Sequence, residues 1–233
     1  MGRVKAVLKF SLLLPVIFLG YSILLVISLN WINPPVSAFM HSKSINYVFL
    51  MQNDYKHEWK SIDEVAYYFP LAVVASEDQN FFWHFGFDYA QIEKAMNEIK
   101  RGRRFRGAST ITQQLAKNLF LWSDQSYVRK GVEAYYTVLL ETFLSKRRIL
   151  EIYINTVELG KNIYGIEAAS KFYFNKTSGK LNIYQAALMA SVLPNPTKRN
   201  PARPSSYMLG RESAIIRQMN QLGGKNFIQP NLR

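Results

Sequence analysis

Residues 107–118 read GASTITQQLAKN. The run opens on small residues and carries six uncharged hydrogen-bonding side chains, Ser109, Thr110, Thr112, Gln113, Gln114 and Asn118, yet leads into the apolar pair Leu119-Phe120. Thr110 with Gln113 three residues on is a capping-box pair, so a helix starts here. On that helix Gln113 and Lys117 share one face and Gln114 and Asn118 the next. Gly107 and the amides of Ser109 and Thr110 present backbone donors at a helix start, an anion-binding arrangement. Lys117 adds a point charge suited to phosphate. An ordinary capped helix accounts for Thr110 and Gln113 but leaves the remaining polar side chains unexplained.

Helical signatures extend in both directions from this segment. Upstream, SIDEVAYYFPLAVVASEDQNFF from Ser61 opens with a second capping-box pair, Ser61 and Glu64, and Pro70 divides it into two helices. FDYAQIEKAMNEI at 87–99 has apolar positions at spacings of three and four, then runs into KRGRRFR at 100–106, five basic residues of seven. Downstream, 127–144, 145–158, 163–174, 181–193 and 207–222 are periodic helices, with Pro194, Pro196, Pro201 and Pro204 making an extended stretch between the last two. Within 146–160, Ile149, Leu150, Ile152 and Tyr153 belong to the core and Asn155 is a cap or a buried hydrogen bonder. A strand is expected at Ile45–Met51. The chain is therefore mainly α, with no internal repeat.

Composition narrows the chemistry. With 233 residues, 48% hydrophobic and 14% aromatic, the chain is too apolar for a disordered tail. It has no cysteine, which excludes a disulfide scaffold, a Cys-ligated zinc site, an iron–sulfur cluster and a thiol nucleophile. Its three histidines, His41, His57 and His84, have no metal-ligand spacing. GKNIYG at 160–165 has the glycine spacing of a phosphate loop but lacks the Lys that must follow.

The N-terminus decides the compartment. Between Lys9 and Lys43 there is no charged residue, and 10–29 is an apolar run. Twenty helical residues span roughly 30 Å, the hydrocarbon thickness of a bilayer. Arg3, Lys5 and Lys9 before it place the N-terminus in the cytoplasm. A cleaved signal peptide is the rival, with Val36-Ser37-Ala38 as a cleavage site, but its apolar core would be only about 7–15 residues. The expected division is a basic cytoplasmic N-terminus at 1–9, a transmembrane anchor at 10–30 and a linker at 31–44. Residues 31–233 carry 26 basic against 16 acidic residues, a net +10 that favours an anionic bilayer or a polyanion.

Two further segments carry titratable groups. Glu77-Asp78 lies between the apolar run PLAVVAS and the aromatic run FFWHFGF. Desolvation there raises a carboxyl pKa and makes a better base near neutral pH. Arg129, Lys130 and Glu133 put two cations beside a second carboxylate at helical spacing, which on its own reads as a surface pair.

EDQNFFWHFG (77–86), GASTITQQLAKN (107–118), RKGVE (129–133), KRRILEIYIN (146–155) and IYGIEAASKFYF (163–174) occur in that order. The set resembles the peptidoglycan glycosyltransferases that polymerise lipid II, most closely the monofunctional biosynthetic transglycosylases of Gram-negative bacteria. The resemblance runs from about residue 45 to the C-terminus, including RQMNQLGG at 217–224. It implies a lysozyme-like, mainly α-helical glycosyltransferase domain at 45–233, with a head lobe and a membrane-contacting jaw lobe that includes 100–106, behind the one transmembrane helix. No SxxK motif of the relatives' transpeptidase domain occurs in the sequence.

The same resemblance implies that β-1,4-linked GlcNAc-MurNAc strands are made with inversion and release of undecaprenyl pyrophosphate. Glu77 corresponds to the general base and Glu133 to the second essential carboxylate. Ser109, Thr110, Gln113, Gln114, Lys117, Asn118, Arg129, Lys130, Asp78 and His84 bind substrate, with Phe81, His84 and Gly86 shaping the Glu77 loop. No cofactor is required; a divalent cation, Mg or Mn, is left open at Glu133. The implied partners are lipid II, the growing lipid-linked glycan, inner-membrane lipids and cell-wall synthesis or division proteins, with no nucleic acid. The implied location is the bacterial inner membrane, single-pass, with the catalytic domain periplasmic. Two departures stand out: Gln125 occupies a position where relatives carry Arg, and Tyr184-Gln185 replaces a Glu before the AAL segment. A glycan hydrolase and a polyanion-binding module are the rival classes. The first has no pyrophosphate to neutralise, and the second leaves the two carboxylates unexplained.

Overall fold

The computed structural model describes residues 2–35, 37, 55–102, 107–122 and 126–233, the side chains of 2–12 excepted. The strand expected at 45–51, Gln125 and most of the basic cluster at 100–106 fall outside the described residues.

The helices are α1 (Gly2–Ser28), α2 (Tyr68–Glu77), α3 (Tyr89–Lys100), α4 (Ile111–Phe120), α5 (Tyr127–Phe143), α6 (Lys146–Thr156), α7 (Ile166–Phe174), α8 (Ile183–Val192), α9 (Ser206–Gln221) and α10 (Lys225–Asn231). Helix α2 is apolar on every face, with Phe69 through Ala75 all buried. A helix of that kind belongs at the centre of a domain. It packs against α8, α9 and α10. Helix α4 packs on α5 and α6, and α6 contributes Ile149, Leu150, Ile152 and Tyr153, all fully buried, as its spacing requires. Each such side chain contributes about 1.5–3 kcal/mol of burial energy.

Local chemistry sets most of the helix starts. Ser126, Ser145 and Ser205 accept from the third backbone N–H of α5, α6 and α9. Gln185, one of the two sequence departures, closes a capping box with Asn182 at the start of α8. The expected Ser61–Glu64 box does not form: residues Ile62–Glu64 make a single 3-10 turn with no side-chain cap. Glu64 is drawn instead to Lys60, 2.7 Å away. Pro70 then sits in the first turn of α2, where its missing N–H costs nothing.

The expected helix over 163–174 begins only at Ile166. Ile163–Tyr164 (β3) is the middle strand of a small sheet, parallel to Lys56–His57 (β1) and antiparallel to Glu158–Gly160 (β2). Gly165 turns the chain out of that sheet at φ 78, and a Cβ there would lie 2.5 Å from the Asn155 carbonyl oxygen. Asn155 is a buried hydrogen bonder: its Oδ1 accepts from Lys60 N at 2.8 Å, and its Nδ2 donates to the Lys60 and Glu151 carbonyls.

Helix α1 docks on α5 at its C-terminal end. Val26 and Leu29 are buried, Phe18 stacks on Tyr135, and Ser22 hydrogen-bonds the Tyr135 hydroxyl. Arg148 of α6 donates to the Leu29 carbonyl at 2.7 Å, the Ile32 carbonyl at 3.2 Å and Asn33 Oδ1 at 2.8 Å. Among the described residues no helix is long and apolar enough to cross a membrane. The expected anchor at 10–30 is not settled by that, since the described side chains of α1 begin only at residue 13.

Candidate active site

Glu77 is the last residue of the central helix α2, so an otherwise apolar, largely buried helix ends in a carboxylate. Asp78 follows in an extended conformation and turns the chain away. Its buried carboxylate accepts from Ile111 N at 3.0 Å and from His84 Nε2 at 2.9 Å. Thr110 Oγ1 donates to the Gly86 carbonyl at 2.7 Å. The loop 78–86 is thereby stapled at both ends to the start of α4. Gly86, at φ 76, is the one residue type that fits: a Cβ there would meet Thr137 Cγ2 at 2.6 Å. Phe81 is fully buried beneath the loop and carries Lys146 Nζ over its ring at 4.6 Å. Lys146 in turn donates to Glu141, which also accepts from Thr112 at 2.6 Å.

The α4 capping box forms as its sequence requires. Gln113 N donates to Thr110 Oγ1 at 3.2 Å, and Thr110 N donates to Gln113 Oε1 at 3.0 Å. The box keeps Gln113 buried and out of the cleft lining. One residue further, Gln114 Nε2 donates to Glu77 Oε2 at 3.0 Å, and Tyr153 OH donates to Gln114 Oε1 at 2.8 Å. Tyr153, expected only as core, therefore fixes the Gln114 amide. Burial pushes the Glu77 carboxyl above its ordinary value; the Gln114 hydrogen bond and the positive charges of Arg211 and Arg199 pull the other way, and Asp78 adds to the rise.

A cleft of about 310 Å³ opens beside Glu77, lined by Ser109, Thr110, Asp88, Gln91, Lys94 and Gln218 among others. Ser109 is exposed at its rim.

The second carboxylate lies among cations. Glu133 is buried, with Arg129 Nη1 donating to one oxygen at 2.9 Å and Lys130 Nζ to the other. Lys117, on the turn of α4 after Gln114, feels that group. Its ammonium pKa is lowered by burial, raised by Glu133 and lowered by Arg129 and Lys130. The arrangement goes beyond a surface pair, because two cations bond one buried carboxylate, Lys117 feels the same charge, and the buried Arg129 Nε has no partner among the described residues. Asn118 lies one turn beyond Gln114, half-buried. Among the described residues no three His, Asp or Glu gather as a metal site. A cation at Glu133 would have to displace Arg129 or Lys130.

One helix, α4, thus joins a raised carboxylate to a cation cluster. A family model described as Transglycosylase matches residues 43–220. The chain belongs to the transglycosylase family. It is 46% identical to a biosynthetic peptidoglycan transglycosylase of Bacteroides thetaiotaomicron over 220 residues, 93% of this chain and 88% of that protein. It is 48% identical to the protein of the same name from Shewanella amazonensis, covering 92% and 87%, and 43% identical to that of Xanthomonas campestris, covering 97% and 93%. This transglycosylase places all the site residues expected from its sequence on the Glu77 loop, α4 with the residues just before it, and the first turns of α5. Arg199, Arg211 and Gln218 were not expected. They come from the segment after α8 and from α9, and no local pattern marks them.

Proposed function

We propose that the protein is a peptidoglycan glycosyltransferase that polymerises lipid II into β-1,4-linked GlcNAc-MurNAc strands. The observation that carries this reading is the run of α4 from Gln114, on the Glu77 carboxylate, to Lys117, beside the Glu133 cluster. A base and a set of phosphate-binding cations sit one helical turn apart.

Glu77, raised by burial, takes the proton of the acceptor GlcNAc 4-hydroxyl. The oxygen attacks C1 of the donor MurNAc as the bond to undecaprenyl pyrophosphate breaks, which inverts the anomeric centre. Positioned base catalysis contributes about 10²–10⁴-fold. The pyrophosphate leaves with its charge against Lys117, Arg129 and Lys130, whose preorganisation supplies the electrostatic stabilisation. Glu133 holds Arg129 and Lys130 in place. Ser109 and Thr110 line the sugar side of the cleft.

The protein is further read as a bacterial inner-membrane enzyme with α1 as its anchor and the catalytic domain outside. The charge-free run supports this, as do the exposed Leu13, Leu14, Val16, Ile17, Phe18, Leu19, Tyr21 and Leu24 along α1. The jaw lobe is assigned to α3 and the basic segment after it, where Met96 and Ile99 are exposed.

The full chain in detergent, given lipid II alone, is expected to yield long glycan that muramidase digests. Shortening of preformed glycan with no polymer from lipid II would replace this reading by hydrolysis.

A further inference from the structure

Arg211 and Gln218 lie seven residues apart on α9, two turns along one face. Gln218 lines the same cleft as Glu77, and its Oε1 is buried without a partner among the described residues. The Arg211 Nε is likewise buried and unpartnered. Helix α9 packs on α2, the helix that ends in Glu77. A guanidinium with a free buried N–H, on the helix whose Gln218 lines the cleft, is costly unless it serves something.

We propose that Arg211 is a positioning residue of the reaction, the fixed counter-charge of Glu77. The proposal rests on the reading of Glu77 as the base. The groups that act on Glu77 are Asp78 from its own loop, Gln114 from α4, Arg199 from the segment after α8 and Arg211 from α9; the Tyr153 hydroxyl of α6 feels Glu77 in turn. Arg199 is committed elsewhere: its Nη1 donates to the Ser191 carbonyl at 2.7 Å, and its guanidinium lies over the Tyr207 ring at 4.9 Å. Arg211 has no such commitment at Nε.

Arg211 and Glu77 make no ion pair in the structure, and the chemistry favours that. A contact ion pair would occupy a carboxylate oxygen and quench the base. A guanidinium further off keeps the half-buried carboxylate ionised while leaving its oxygens to Gln114 and the acceptor hydroxyl. The proton moves from the hydroxyl to Glu77, and Arg211 exchanges none.

The test uses the full chain in detergent, with Arg211→Met and Arg211→Lys. The Glu77 carboxyl is titrated by carbon NMR, its signal assigned through Glu77→Gln, and polymerisation is followed from about pH 6 to about pH 9. Loss of the counter-charge moves the Glu77 midpoint upward. Below its midpoint a carboxyl that titrates about one pH higher is about tenfold less ionised. The rate of Arg211→Met then falls about tenfold at the acid end and under about threefold at the alkaline end. Arg211→Lys restores most of both. An unmoved Glu77 midpoint, with a rate loss equal at every pH, overturns the proposal and leaves Arg211 a packing residue. If Arg211→Met does not fold, Arg211→Gln is titrated in its place with the same two outcomes. A midpoint that moves in a protein that makes no polymer upholds the counter-charge and removes the polymerase reading.

Discussion

Glu77 is a half-buried acid held against its own stability. Its folded carboxyl titrates above its unfolded one, so the group stabilises the fold fully only below the unfolded value, and that stability is lost as pH rises through the folded value. Glu77→Gln, neutral throughout, is therefore expected to melt higher than the parent at about pH 8 and to match it at about pH 4, where both side chains are uncharged. Thermal denaturation at the two pH values checks this, and a variant less stable at both would show that the carboxylate is well solvated. Glu133 accepts from two cations, Arg129 and Lys130. Glu133→Gln is expected to destabilise the fold by about 3–5 kcal/mol, the usual cost of breaking a buried ion pair, in urea titration. Glu77 stood out in the sequence by its apolar and aromatic flanks, whereas Glu133 read locally as a surface pair and was marked only by the family resemblance. The roles of Tyr153, Arg199, Arg211 and Gln218 were not legible, since they come from contacts between segments far apart in the chain that no spacing encodes.

At the scale of elements, the Glu77 loop is held by one cap and one glycine. Thr110→Ala removes the α4 cap and the bond to the Gly86 carbonyl, and is expected to cost about 1–2 kcal/mol. Gly86→Ala adds a methyl 2.6 Å from Thr137 Cγ2 in a left-handed conformation, for a loss of about 1–3 kcal/mol. In the double variant with Thr137→Ser the clashing methyl is gone, so part of that loss returns while the backbone strain stays. A double-mutant cycle in urea measures the difference, and strict additivity would mean that the clash relaxes elsewhere. The α4 box was readable because Thr110 and Gln113 bond each other with no charged neighbour competing for either. Ser61 and Glu64 show the same pattern, yet the turn there is too short and Lys60 captures the Glu. The strands Glu158–Gly160 and Ile163–Tyr164 escaped a periodicity reading because neither is long enough to show alternation.

At the scale of the whole molecule, the fold joins a helix with exposed apolar side chains to the helix that carries Glu133. Arg148 is the latch, donating to the Leu29 and Ile32 carbonyls and to Asn33, and pairing with Glu151 at 2.8 Å. Arg148→Met is expected to lower stability by about 1.5–3 kcal/mol in detergent and to speed proteolysis between residues 30 and 37. Unchanged cleavage there would mean that α1 is held by its contacts to Tyr135 alone. The full chain is further expected to stay in carbonate-washed bacterial membranes; release into the soluble fraction would remove the anchor. The central claim is that Glu77 drives polymer formation beside a preassembled phosphate site. It is tested most directly by giving lipid II to the parent and to Glu77→Gln while measuring donor-analogue binding to both. The account predicts long glycan from the parent, a loss of at least about 10²-fold in Glu77→Gln, and equal donor binding. Polymer at the parental rate from a folded Glu77→Gln protein would contradict it.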